Sequence, residues 1–197
     1  MKAPRIYPED LSLEDVTEHA GKDIDVLKAI AEIRINRNNE PYDVVNASVL
    51  ARRPGWIHMR MYKFGMLVRD IVIKDEAAYV LSGKDSPGLR QLAKEFYNAI
   101  FWWDDLEDGV MRSEGDAYVI RTDNKTIYVE KANLMPVKQY INVLETTILL
   151  TYDAPVENDG FWYPSHINLY AGDFMFSVAL RKVIKNPGLG PFDFQTP

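Results

Sequence analysis

Residues 24–35 read Ile-Asp-Val-Leu-Lys-Ala-Ile-Ala-Glu-Ile-Arg-Ile, and this stretch decides the fold class. Leu27, Ala29, Ala31, Ile33 and Ile35 recur at every second position, with Lys28, Glu32 and Arg34 between them. A period of two belongs to an extended strand with one face in a core and the other in water; a helix would place its apolar residues three and four apart. Outward from there the pattern repeats. Asn38-Asn39-Glu40-Pro41 forms a turn, and residues 42–51 carry a second strand through Val44/Val45 and Val49/Leu50 until Arg53-Pro54-Gly55 stops it. Residues 56–61, 66–74 and 77–81 continue the series across Lys63-Phe64-Gly65 and Lys74-Asp75-Glu76.

The period then switches. Ser86-Pro87 is a good N-cap and first-turn pair, and Leu89, Leu92, Ala93, Phe96, Ile100 and Trp103 share one helical face, which predicts a helix over about 87–105. Tyr97, Phe101 and Trp102 occupy its other face, so the last two turns are apolar nearly all round and need cover on more than one side. A shorter helix opens at Ser12 with Asp15 three residues on, a capping-box spacing, and ends at Gly21. Strands resume over 117–121, 127–130, 137–143, 146–152, 166–171 and 174–180, with Asp123-Asn124-Lys125, Asn158-Asp159-Gly160 and Gly172-Asp173 as hairpin turns.

About eleven consecutive antiparallel strands are too many for a flat open sheet, which must curl or split. The expectation is a mainly β (α+β) chain: an incomplete antiparallel barrel with the 87–105 helix as a lid. Residues 1–22 form a lead and short helix, and residues 23–197 a single half-barrel domain. Inward positions rich in Leu, Ile, Val, Met and aromatics suit a small apolar ligand. The same positions suit a helix that plugs the barrel with its own side chains, and the pattern leaves both readings open.

Composition narrows the function. With 23 basic against 29 acidic residues the net charge is −6, and no basic stripe offers the phosphate-neutralising surface that nucleic-acid binding requires. The chain has no cysteine, hence no thiolate nucleophile, disulfide or Cys-ligated zinc. No apolar run approaches the roughly 18–20 residues of a membrane span, and residues 1–10 lack a signal-peptide core. A soluble chain is expected, exported only with its targeting segment already removed. Of the three histidines, His19, His58 and His166, none stands in a zinc-protease context, and neither a Gly-x-Ser-x-Gly elbow nor a phosphate loop is present. Asp104, Asp105, Glu107 and Asp108 read as the solvated end of the helix more readily than as a cation site. No enzyme activity, cofactor or metal is expected.

Several segments together resemble the LolA/LolB-like superfamily of lipoprotein carriers and receptors. Val49-Leu50-Ala51-Arg52-Arg53-Pro54 is similar to the family's strand ending in a basic residue, Arg and Pro. Tyr62-Lys63-Phe64-Gly65-Met66 looks like the receptor branch's turn with a projecting apolar side chain. Lys131-Ala132-Asn133-Leu134-Met135-Pro136 resembles the family hairpin with a Leu-Pro type step. Asn158-Asp159-Gly160-Phe161-Trp162-Tyr163-Pro164 followed by Ile167 resembles its Gly, aromatic and Pro signature, and Lys185-Asn186-Pro187 with Phe192-Asp193-Phe194 its ending. Order and spacing over residues 24–194 carry the likeness.

The resemblance implies an eleven-stranded half-barrel whose helical lid covers a cavity for acyl chains of lipoproteins or another lipid. It also implies a periplasmic site or the periplasmic face of the Gram-negative outer membrane, outer-membrane contact, and a carrier or receptor protein as partner. Arg53, or Arg52 beside it, would latch the lid by charge-assisted bonds to helix carbonyls. Phe64 would insert into a membrane or partner, or fold back under the sheet. Phe96, Ile100, Phe101, Trp102 and Trp103 would form the lid's underside, with Leu27, Ile33, Val49, Met59 and Met61 as further lining, the methionines adapting to different chains. The receptor branch's anchoring N-terminal Cys has no counterpart here; Pro4 and Pro8 suit a linker behind such an anchor, and a ragged terminus reads the same.

Overall fold

The structure, a computed structural model, describes residues 7, 10–21, 23–75, 77–85, 87–143, 146–158 and 160–197. Pro4, Pro8, Ser86 and Asp159 therefore lie outside the described residues. Among those described, helix α1 (Leu13–Gly21) precedes five strands, β1 (Val26–Arg37), β2 (Glu40–Arg52), β3 (Trp56–Lys63), β4 (Met66–Lys74) and β5 (Ala77–Ser82). Helix α2 (Pro87–Ile100) follows, then β6 (Val110–Glu114), β7 (Ala117–Arg121), β8 (Lys125–Glu130), β9 (Pro136–Val143), β10 (Thr146–Asn158), β11 (Phe161–Ala171) and β12 (Phe174–Lys185).

All twelve strands join one antiparallel sheet in the order β5-β4-β3-β2-β1-β12-β11-β10-β9-β8-β7-β6. Every pairing but one links sequence neighbours. The exception is the seam between β1 and β12, where Leu27 faces Lys185 and Arg37 faces Phe174. Asn186 clasps this seam: its side-chain oxygen accepts from the amides of Asp25 (2.9 Å) and Val26 (3.1 Å), and its own amide donates to the Val26 carbonyl. The outer strands β5 and β6 are not paired with each other, so the sheet is an incomplete barrel, and α2 spans the gap in sequence while packing on β3 and β4.

The alternation read from residues 27–35 sets the inward face. Leu27, Ala29, Ala31 and Ile33 are buried, and their partners Val49, Ala47 and Val45 on β2 and Val178 and Leu180 on β12 are buried beside them. Met59 and Met61 on β3, Ile127 and Val129 on β8, and Ile148 and Leu150 on β10 continue the same core. Helix α1 opens as its spacing predicts, Ser12 and Asp15 exchanging backbone-to-side-chain bonds of 2.9 and 3.1 Å, and sets Val16 into the core.

The strands differ from expectation by one added element, β6, and in length, β10 running on to Asn158 and β12 to Lys185, past the expected 152 and 180. Strand β6 had no signal because all but one of its residues are exposed, leaving no alternation to read. Strand β11 begins at Phe161, five residues before the expected start; Pro164 within it stands opposite Pro155 on β10, so the two residues without N–H groups share one interruption of the ladder. On the outer face of β3 the C-terminal segment folds back, placing Phe194 edge-on to Trp56 at 5.7 Å and burying His58, whose Nε2 lies 2.7 Å from Asp70.

Candidate functional site

The site lies between the lid segment and the inner face of the sheet. α2 turns Leu89, Leu92, Ala93 and Phe96 inward at spacings of three, four and seven. The helix ends at Ile100. The Phe101 amide still bonds the Tyr97 carbonyl at 2.9 Å, but the Asp104 amide bonds that of Phe101 at 3.0 Å, so residues 101–103 form turns. This shortens the helix expected over about 87–105, and the reason is the next two residues: Asp104 is held by its side chain against the barrel, and Asp105 takes a left-handed φ of 56° that no helix continues.

Asp104 is the fixed point of the lid. Its Oδ1 accepts from Arg53, with both Nε and Nη2 at 2.7 Å, its Oδ2 accepts from the Tyr97 hydroxyl at 2.5 Å, and its backbone carbonyl accepts from Lys125 Nζ at 3.3 Å. The Asp104 carboxylate is 6% exposed and Arg53 26%, so this is a buried ion pair open to water on one side. Burial and the Asp104 acceptor both push the Tyr97 hydroxyl well above its ordinary range. Burial lowers Lys125, with Asp105 and Asp104 opposing it. Arg53 therefore reaches the lid four residues beyond the helix end, through a carboxylate; Arg52 lies 5.0 Å over the Trp56 ring instead.

An aromatic chain continues from this point into the barrel. Tyr97, Phe101, Trp103 and Phe161 follow one another at ring separations of 5.1, 5.6 and 6.4 Å; Trp102 meets Trp103 edge-on at 5.6 Å, and Phe161 stacks on Tyr163 at 6.0 Å. Each such contact is worth about 0.5–1.5 kcal/mol beyond its buried area. Behind it lies an apolar cavity of about 20 Å³, bounded by Leu27 and Ala29 on β1, Ile167 on β11, Leu180 and Val183 on β12, and the lid. That volume admits one water molecule and is far below the roughly 300–1,000 Å³ of small-molecule sites. The protein's own side chains fill the barrel here.

Of the residues singled out from sequence, Leu27, Ile100, Trp102 and Trp103 line the cavity. Ile33, Val49, Met59, Met61, Phe96 and Phe101 are buried in the surrounding core. Phe64 stands apart, 89% exposed at the β3–β4 turn with a φ of 52°. The sequence reading missed Asp104 as a buried partner, and it missed Ala29, Met135, Leu180 and Val183 as lining. Among the described residues no three His, Cys, Asp or Glu side chains converge to hold a metal.

The sequence matches no protein-family model and no curated protein. The structure does have likenesses. A LolA-superfamily protein of Nitrosomonas europaea superposes with a TM-score of 0.68 at 14% identity, covering 95% of this chain and 99% of that one. The fold is that of the LolA superfamily. A DUF1329-family protein of Desulfovibrio piger matches with a TM-score of 0.60 at 13% identity, over 93% and 97% of the two chains. A domain assigned as an outer membrane lipoprotein-sorting protein from Vibrio parahaemolyticus gives 0.56 at 12% identity, over 92% and 94%. The LolA-like half-barrel here shares the architecture of all three.

A second buried carboxyl belongs to the lid helix itself. Glu95 on α2 is fully buried and accepts from Gln91 Nε2 at 2.6 Å and Asn98 Nδ2 at 2.9 Å, both on its own helix. Burial raises its pKa above the ordinary 4.5 despite Asn98, Lys94 and Lys125. The folded state then binds this proton more tightly than the unfolded state, so the contribution to stability is greatest below pH 4.5 and falls as pH rises through the raised value. Chemical denaturation across that range should show this slope in the wild type and lose it in Glu95→Gln. Parallel profiles for the two proteins would refute the assignment.

Proposed function

We propose that the chain is a non-enzymatic, periplasm-facing carrier or receptor that holds the acyl chains of lipoproteins or related amphiphiles in the half-barrel. The observation that carries this reading is the apolar interior closed by a lid segment whose polar attachment centres on one ion pair, Arg53–Asp104. Transfer of an alkyl chain into such an interior gains about 25 cal/mol per Å² of apolar surface, and breaking and remaking the ion pair sets when the interior is open. The shared fold with a domain assigned to outer membrane lipoprotein sorting supports the same reading. Arg53 is the latch, and the cavity wall with the surrounding core is the chain site. Trp103 Nε1, a buried donor with no acceptor among the described residues, would be satisfied by an ester or amide carbonyl of the bound amphiphile.

The test is mass spectrometry of an organic extract of protein purified from a bacterial periplasm, paired with displacement of a fluorescent fatty acid. A stoichiometric amphiphile that displaces the probe supports carriage, and its identity separates a lipoprotein from a free lipid. A second reading has its own observation: a cavity of about 20 Å³ suits an interaction module whose barrel is filled by itself. An empty extract together with no probe binding would establish that reading and end the first.

Phe64 on its exposed turn is the membrane-contacting side chain in this proposal. Phe64→Asp should leave unfolding free energy within about 0.5 kcal/mol, as for exposed substitutions generally, while reducing co-sedimentation with vesicles of bacterial phospholipid. Unchanged sedimentation would remove Phe64 from the membrane contact.

A further inference from the structure

The surface carries a recess of about 400 Å³ between the end of α1, the 131–135 loop and the β10–β11 hairpin. Its back wall consists of Trp102, Met135, Phe161 and Trp162, and the same four side chains form part of the wall of the apolar cavity. A single layer of side chains thus separates an open recess from the closed interior. Two other recesses of comparable or greater size lack this relation. The one of about 410 Å³ near Arg53 shares only Trp103 with the cavity, and the one of about 650 Å³ beside Tyr97 and Trp56 shares nothing.

The recess is also graded in polarity. Its inner wall is aromatic and aliphatic, whereas its rim carries His19, Asn133 and Glu157. Asn133 Oδ1 accepts from the Met135 amide at 2.9 Å and Glu157 accepts from the Gly160 amide at 3.1 Å, so both polar rims are set by their own turns. Of the back wall, Trp102 lies in the turns at 101–103, Met135 just before β9, and Phe161 and Trp162 in the part of β11 that pairs with β10 but precedes its pairing with β12.

We propose that this recess is the head-group site and the mouth of the apolar cavity. An amphiphile would leave its polar head against His19, Asn133 and Glu157 and pass its chain inward where Trp102 now stands. This rests on the carrier reading above and adds to it the orientation of the ligand and the side of the barrel through which it passes. Trp102 is the plug: it is 3% exposed, it belongs to both walls, and it is held by contact with Trp103 rather than by a ladder hydrogen bond.

Because the chain has no cysteine, single cysteines label cleanly. Ala20→Cys and Glu157→Cys would each be coupled to a bulky maleimide at the recess, with Thr17→Cys and Lys94→Cys, the latter exposed, as labelled controls at the other two. Uptake of a dansylated fatty acid, compared before and after coupling of the same variant, should slow by about tenfold or more for the first pair and change by less than about twofold for the controls. A fatty acid bearing a diazirine beside its carboxyl should crosslink to residues of the recess, and one bearing it at the chain end to Leu27, Ile167 or Leu180. Trp102→Ala should speed uptake; where that variant fails to fold, the labelling results on the intact plug decide alone. Slowing by the Thr17 or Lys94 label instead, or crosslinks with head and tail exchanged, overturns the mouth and leaves carriage standing. Absence of any uptake by the unlabelled protein overturns both.

Discussion

Truncation of Arg53 to alanine is expected to cost about 3–5 kcal/mol of unfolding free energy, the range for breaking a buried ion pair from one side. The reason is what remains. Asp104 stays buried with its charge, and of the side-chain donors to its carboxylate identified here only the Tyr97 hydroxyl persists. Asp104→Ala should cost less, because Arg53 is 26% exposed and can take up water when its partner is lost. A double-mutant cycle on these two residues, read by urea denaturation, should give a coupling well above the 0.2–1 kcal/mol or so of exposed pairs. A coupling within that range would show that the pair does not hold the lid. The same variants bear on function: loosening the lid should speed uptake of the fatty-acid probe even as stability falls.

Phe101→Ala is the second large effect, with an expected loss of about 3–5 kcal/mol for a fully buried aromatic. Phe101 has ring contacts with both Tyr97 and Trp103, so its removal opens a void in the middle of the aromatic chain. Phe101→Leu keeps most of the volume and should cost less than about 1.5 kcal/mol. A void next to the interior has a second consequence. If chains bind there, the alanine variant should be stabilised by the fatty-acid probe more than the wild type, since the ligand fills space the protein cannot, and binding to the folded state raises the melting temperature. A melting temperature for Phe101→Ala that ignores the probe would place the chain site elsewhere.

The sheet was legible because its signal is local. Alternation at residues 27–35 needs no knowledge of the partner strands, and the turns between strands announce themselves through Asn, Gly and Pro. What was not legible depended on distance in the chain or on the absence of a pattern. Val110–Glu114 is an edge strand with no buried face, so its sequence looks like a loop. Phe101, Trp102 and Trp103 fit a helix as well as a turn; Arg53, 51 residues away, is one of the groups that hold Asp104 at its end. For the same reason an acidic run that looked solvated turned out to contain a buried anchor. The apolar character of the interior could be read, but whether it encloses space could not, because that depends on how the lid's rings settle against Ala29, Phe161 and Leu180.

The seam between β1 and β12 has a consequence for chain connectivity. Read from β6 around through β12 and on to β5, the sheet is a single up-and-down meander in which every strand pairs with the next. The first and last residues of the sheet, Val26 and Lys185, fall at the middle of that meander, where Asp25 and Asn186 touch. A circular permutant that joined them by a short linker and opened the chain between β5 and α2 would turn the one long-range pairing into a hairpin. Loop closure would no longer precede formation of the seam, and relative contact order would drop while the sheet stayed the same. Such a permutant should refold faster than the natural order, which would locate the slow step of folding in the meeting of two meanders rather than in the making of either.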